Sequence, residues 1–164
     1  MAVCTGNICR SAMAEVVLRD RLAAAGLGQA VTVCSRGVSD EEAGHRIDRR
    51  ARAVLLAHGY PGGHGHVARQ VTAEELDETD LVLAMTADHA RVLRRMGGGT
   101  DPPVVLYRQF DPAAPPVGQH DESRLDIDDP WYGGPHEFEV CLAQVEAGAD
   151  GVVARVREMR RGPA

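Results

Sequence analysis

Short apolar runs alternate with longer amphipathic stretches along this chain, and that alternation is what most narrows the folds open to it. A strand buried on both faces reads as a continuous apolar run, whereas a helix lying on a sheet repeats its apolar residues three and four positions apart. The candidate strands are Ala2–Cys4, Val31–Ser35, Asp80–Met85 and Val104–Tyr107. The candidate helices are Ser11–Ala25, Asp48–His58, Ala87–Met96 and a last one that opens at Pro135. In the last, Phe138, Cys141, Leu142, Val145, Ala149, Val152 and Val156 make a single stripe. Strands separated by helices predict an α/β fold with a parallel sheet covered on both faces. Gly59–Gly65 and Asp111–Asp121 read as loops. No repeat or boundary segment interrupts the 164 residues, so one domain over 1–164 is expected.

Composition removes several classes of function. Eighteen basic residues against 24 acidic ones give a net charge of -6, which makes nucleic acid a poor partner. Every basic residue is arginine, so Schiff-base chemistry and a phosphate-binding lysine are both excluded. The four cysteines, at 4, 9, 34 and 141, form neither a disulfide framework nor a C-x2-C pair, which points to a reduced, cytoplasmic setting. Cys141 lies on the apolar stripe and Cys34 ends an apolar run, so both read as core residues. No run approaches the roughly eighteen apolar residues of a membrane span, so no membrane partner is expected. His64 and His66 lack a third ligand at zinc-like spacing, so no metal is expected, and no other cofactor is implied.

The chemistry concentrates where the first strand meets the first helix, in Cys4-Thr5-Gly6-Asn7-Ile8-Cys9-Arg10-Ser11. Five residues between a thiol and an arginine let backbone N–H groups converge on an oxyanion, and the helix N-terminus adds positive potential. Gly6 and Asn7 are expected to supply the left-handed torsions such a curl needs. Arg10 offers a planar fork to two phosphate oxygens. A thiol beside a cation at a helix N-terminus favours its thiolate form, which would make Cys4 a nucleophile. Ser11 is placed to hydrogen-bond that sulfur while serving the helix start. Far along the chain, Asp129-Pro130-Trp131-Tyr132 precedes the last helix. Phosphomonoester cleavage through cysteine needs an acid for the leaving oxygen and then a base for water, and Asp129 can do both. Trp131 and Tyr132 would wall an aromatic leaving group.

These segments resemble the low-molecular-weight protein-tyrosine phosphatases, whose loops read V-C-x-G-N-I-C-R-S-P and D-P-[FYW]-Y-G. Gly65-His66-Val67-Ala68-Arg69-Gln70-Val71-Thr72 is similar to a further segment of that family. The resemblance implies a single-domain, three-layer α/β/α fold, with a four-stranded parallel sheet wound in both directions as in flavodoxin. It implies Cys4 as nucleophile, Arg10 as phosphate clamp and Asp129 as general acid. Thr5, Gly6, Asn7, Ile8, Cys9 and Ser11 would form the phosphate-binding loop, and His66 would brace it by bonding Asn7. Glu41, Trp131 and Tyr132 would border the substrate pocket. The implied partners are tyrosine-phosphorylated proteins or peptides, and the implied state is a monomer.

Several positions depart from the family pattern. Only three residues precede Cys4, which predicts a short central strand; Ala12 stands where proline is usual, Glu41 where an aromatic is frequent and Arg46 where proline is frequent. Two other activities share the fold. A thioredoxin-coupled arsenate reductase needs two more redox cysteines than residues 80 to 97 supply, and a protein-arginine phosphatase would carry threonine in place of Ile8. A phosphate-binding pseudo-phosphatase is the non-enzymatic alternative. Cys9, five positions from Cys4, is a candidate to trap an oxidised Cys4 as a disulfide.

Overall fold

A computed structural model describes residues 1–97, 103–118 and 121–162. Four parallel strands, β1 (Ala2–Cys4), β2 (Ser35–Gly37), β3 (Val82–Ala84) and β4 (Val104–Leu106), make one sheet in the order β2-β1-β3-β4. The chain leaves β1 toward β2 on one side and returns to β3 on the other. The carboxyl end of β1 is therefore the point where the winding reverses, the place where such sheets bind ligands. Each strand has three residues, so the predicted short central strand is no shorter than its neighbours.

Among the described residues five α-helices cover the sheet: α1 (Arg10–Ala24), α2 (Arg49–Ala57), α3 (Ala73–Asp77), α4 (Ala87–Met96) and α5 (Pro135–Arg161). Side chains alternate across the pleat, and both faces are buried. Ala2, Cys4 and Leu83 join the cluster packed under α1, α2 and α5, while Val3, Val82 and Ala84 join the one under α3 and α4. The stripe of α5 is buried as its spacing demands, with Val156 at its partly covered end. Cys141 is in the core, where desolvation pushes its thiol up to about 12.

The second strand is displaced from its expected place. The run Val31–Ser35 is richest in β-branched residues, yet the ladder uses Ser35, Arg36 and Gly37 opposite Ala2, Val3 and Cys4. Pairing with β1 outweighs local propensity. It brings Gly37 beside the loop after Cys4, where a Cβ would lie 2.5 Å from the Thr5 carbonyl oxygen. Cys34 accordingly precedes the strand and is half-buried rather than in the core. The other strands are trimmed: β3 omits Asp80, Leu81 and Met85, and Tyr107 opens a 3-10 turn over Tyr107–Phe110. In α2, Asp48 and His58 are the caps rather than members. The short α3 was not expected, although Thr72 and Glu75 form a complete capping box. Gly59–Gly65 is a loop, and of Asp111–Asp121 residues 119 and 120 lie outside the described residues.

Helix α5 approaches the Tyr107–Phe110 turn so closely that only glycine fits at 151, since a Cβ there would meet the Phe110 carbonyl oxygen at 2.3 Å. Alanine in a helix gains up to about 1 kcal/mol over glycine, but overpacking against backbone costs about 1–3 kcal/mol. With the full helix gain subtracted, Gly151→Ala is expected to lower the unfolding free energy by up to about 2 kcal/mol in denaturant titrations. A gain in stability would refute the close-approach account.

Candidate active site

Residues Thr5–Cys9 bend between the end of β1 and the start of α1. Asn7 takes φ 61°, the one left-handed non-glycine residue among those described, while Gly6 does not take a positive φ. The need at Gly6 is instead steric, because a Cβ would meet Glu42 Cγ at 2.8 Å. The strained Asn7 is held by four hydrogen bonds. Its Nδ2 donates to Ser11 Oγ (3.0 Å) and Ser35 Oγ (2.8 Å), and its Oδ1 accepts from the Arg69 N–H (3.1 Å). Its carbonyl oxygen lies 2.7 Å from His66 Nε2, within hydrogen-bond distance.

The same network reaches the sulfur. Ser11 Oγ accepts from Asn7 and lies 3.0 Å from Cys4 Sγ and 3.3 Å from the Arg36 carbonyl oxygen, so its single proton has the sulfur as its nearer acceptor. Ser11 sits inside α1 rather than capping it; Cys9 is the N-cap and gives no side-chain hydrogen bond. Behind Asn7, Ser35 Oγ donates to Glu15 Oε2 at 2.5 Å, and Arg19 pairs with the other carboxylate oxygen at 2.6 Å. Cys9 is buried, and desolvation raises its thiol well above the ordinary range.

Arg10 and Asp129, 119 positions apart, meet over this loop. Arg10 is 4% exposed. One terminal nitrogen donates to the Ile127 carbonyl (3.1 Å), and the other donates to Asp129 Oδ2 (2.5 Å) and Thr5 Oγ1 (3.3 Å). Its Nε is buried without a hydrogen-bond partner. Asp129 caps a 3-10 turn over Pro130–Tyr132, with Oδ1 accepting from the Trp131 N–H at 3.1 Å. A cleft of about 290 Å³ opens here, its walls including Cys4, Arg10, Asp129, Glu41, Trp131 and Tyr132. Thr5, Gly6, Ile8 and Cys9 also border it. Asn7, Ser11 and His66, by contrast, are not among the residues that line the cleft. Among the described residues no group of three or more His, Cys, Asp or Glu side chains is arranged to hold a metal ion.

Sequence reasoning missed three supports. Glu42 packs on Gly6 beside Glu41. Arg50, at the start of α2, donates to the Trp131 and Gly133 carbonyls. His89, which the sequence alone gave no reason to single out, is buried with Nε2 3.0 Å from Thr5 Oγ1 and no partner on Nδ1. Burial and then the Arg10 charge lower its pKa to about 4, so it is neutral at pH 7. Nothing in the pattern around His89 distinguishes it from an exposed helix residue, because its partner lies 84 positions away.

This loop and acid meet in a chain whose residues 1–161 match the model for the low molecular weight phosphotyrosine protein phosphatases. The chain belongs to that family. It is 46% identical over 164 residues to a low molecular weight protein-tyrosine-phosphatase of Streptomyces coelicolor, covering 99% of this chain and 95% of that one. It is 43% identical to low molecular weight protein-tyrosine phosphatase A of Mycobacterium tuberculosis, covering 98% and 94%. In fold it is similar to a crystal structure of an Entamoeba histolytica protein tyrosine phosphatase with Hepes in the active site. That likeness has a TM-score of 0.84 at 24% identity and covers 97% of this chain and 96% of that one. The phosphatase family thus accounts for the four-stranded sheet and its winding, and no described helix is long and apolar enough to cross a membrane.

His89 ties the stability of this phosphatase fold to pH. Folded His89 takes up its proton only near pH 4, whereas an unfolded histidine does so near 6.5. Between these values the unfolded chain holds the extra proton, so stability present above about pH 6.5 is lost as pH falls toward 4. The loss at this site is expected to reach about 3 kcal/mol. His89→Gln should flatten that part of the stability curve in denaturant titrations at pH 4.5 and 7. An unchanged slope would show that His89 is not buried in its neutral form.

Proposed function

We propose that residues 1–164 form one domain that hydrolyses phosphotyrosine monoesters in proteins or peptides, with Cys4 as nucleophile, Arg10 as phosphate clamp and Asp129 as general acid. The observation that carries this reading is the meeting of the three in one cleft, with Ser11 Oγ on the sulfur and Asp129 on the Arg10 guanidinium. The phosphoryl group enters between the loop amides and Arg10. Arg10 then offers its unpartnered Nε and a terminal nitrogen as a fork, and Asp129 is released toward the leaving oxygen.

Cys4 thiolate attacks phosphorus. The P–O bond to the tyrosine ring breaks, Asp129 gives its proton to the departing oxygen, and phosphate stays on sulfur. In the second step Asp129 takes a proton from water, the water oxygen attacks phosphorus, and the P–S bond breaks to release phosphate and regenerate the thiolate. Ser11 steadies the sulfur in both charge states. Trp131, 42% exposed, and Tyr132, 90% exposed, rise beside the acid where an aromatic ring would leave, and Glu41 stands on the rim.

Other readings have less support. An arsenate reductase would need Cys34 or Cys141 as a redox partner, and Cys141 is 1% exposed within α5 while Cys34 precedes β2. A pseudo-phosphatase would be expected to have lost one of the three reacting groups, and all three stand together here. The reading also includes a monomer without a cofactor, in a cytoplasmic setting that the four free cysteines suit.

Turnover of a phosphotyrosine peptide, with phosphoserine peptide and arsenate left unprocessed, is the expected result. Cys4→Ser should abolish turnover while retaining affinity for inorganic phosphate. Asp129→Asn should lower kcat/KM about 100-fold or more and leave phosphate trapped on Cys4 after a rapid quench. Label on any other residue would reject the mechanism.

A further inference from the structure

Asp129 must be aimed as well as protonated, and its own loop does little of the aiming. Among the described residues the Pro130–Tyr132 turn and Gly133–Gly134 form no strand, and Trp131 and Tyr132 are exposed. Pro130 is buried and Gly134 bonds to Glu137, but the tie from the neighbouring helix to the exposed part of this segment is Arg50. One terminal nitrogen of Arg50 donates to the Trp131 carbonyl at 3.2 Å and to the Gly133 carbonyl at 3.0 Å. Its guanidinium carbon lies 5.4 Å from the Trp131 ring centroid and 4.6 Å from that of Phe138 on α5, within cation–π range of both.

Arg50 is itself aimed. Asp48, the N-cap of α2, accepts from the Arg50 N–H (2.7 Å) and Nε (3.1 Å) through Oδ1, and from the other terminal nitrogen (3.2 Å) through Oδ2. Burial works against the Asp48 charge, but the Arg50 hydrogen bonds outweigh it and hold the carboxyl below its usual range. The pair therefore stays ionised near neutrality. The Asp48 N–H donates to the Ile8 carbonyl of the phosphate-binding loop at 2.9 Å. One residue thus fixes both halves of the site: Asp48 through its backbone to the cysteine loop, and through Arg50 to the acid loop.

We propose that Arg50 is a positioning residue for general-acid catalysis, holding the backbone from which Asp129 protonates the leaving oxygen; this rests on the phosphatase mechanism above. The chain of contacts ends on the acid. Arg50 holds the Trp131 carbonyl, and the N–H of the same residue donates to Asp129 Oδ1 at 3.1 Å. With the turn fixed, Asp129 moves from Arg10 to the leaving group by side-chain rotation alone. Lysine would not reproduce this, since an ammonium lacks the planar fork that serves Asp48 and two carbonyls and stacks on two rings.

The test is leaving-group dependence. A phenol made strongly acidic by nitro groups departs without a proton, whereas the phenol of tyrosine, with a pKa near 10, needs one. Arg50→Ala is expected to lower kcat/KM for phenyl phosphate and phosphotyrosine by about tenfold or more, and for 2,4-dinitrophenyl phosphate by less than about threefold. Inhibition by inorganic phosphate, which reads the cysteine loop, should stay within about twofold. In an Asp129→Asn background Arg50→Ala should cost no further activity, because the group it aims is gone. Arg50→Lys, which keeps the stem and charge, should show the same leaving-group dependence at smaller size and supplies the comparison if the alanine variant does not fold. Equal losses for both leaving groups, additive losses with Asp129→Asn, or a large loss of phosphate inhibition would each overturn the proposal. Wild-type protein inactive on every aryl phosphate would instead refute the phosphatase reading itself.

Discussion

The left-handed turn at Asn7 is the constraint on which the candidate site depends. A non-glycine residue at φ 61° costs of order 1 kcal/mol and persists only where its surroundings fix it. Four hydrogen bonds do so, from α1, from β2 and from the 66–69 segment. None is a local contact within the loop. The curl that places Cys4 and Arg10 on one side is therefore a product of the whole sheet, and the sheet's reversal at β1 provides the room for it. Asn7 suits the position twice over, since it tolerates the left-handed region and its amide supplies both donors and an acceptor.

That dependence explains what could be read from the sequence. The fold class, four of the five helices and the two loops that meet at the cleft were legible because local periodicity and a compact motif report them. The place of β2 was not. Val31 and Val33 have the stronger strand propensity, but Ser35–Gly37 is what pairs with β1, and only a glycine at 37 lets the edge strand pass the Thr5 carbonyl. Partners far apart in sequence were equally hidden: His89 under Thr5, Glu15 behind Ser35, and Arg50 under the acid loop. Each is polar and half or fully buried, and nothing at its own position advertises the group it serves. Gly6 was read as a source of left-handed torsion, but its φ is not positive, and what crowds it is the close approach of the Glu42 side chain.

The two carboxylates that matter most are handled in opposite ways. Asp48 is held as a permanent anion by Arg50, and the pair makes a strut between helix and loop. Asp129 is held by Arg10, and in the proposed mechanism Arg10 turns to the phosphoryl group, which makes that contact exchangeable where the strut is not. A rigid backbone with one exchangeable side-chain contact needs little reorganisation when substrate arrives, and preorganisation of this kind is where electrostatic catalysis draws its advantage.

Net charge poses the remaining question, because a protein of charge -6 repels a phosphate dianion at long range. Distance decides the balance. Charges on the surface are screened beyond about 8–10 Å at physiological salt, whereas a guanidinium about 4 Å from phosphorus gains on the order of 4 kcal/mol per unit charge near a protein surface. One buried arginine, the amides of a bent loop and the first turn of α1 therefore outweigh the global field within the cleft. Glu41 and Glu42 at the rim work in the opposite sense and reach only as far as the loop's edge. In the proposed mechanism binding is therefore local, and it would depend on Arg10 staying where the Ile127 carbonyl and Thr5 hold it.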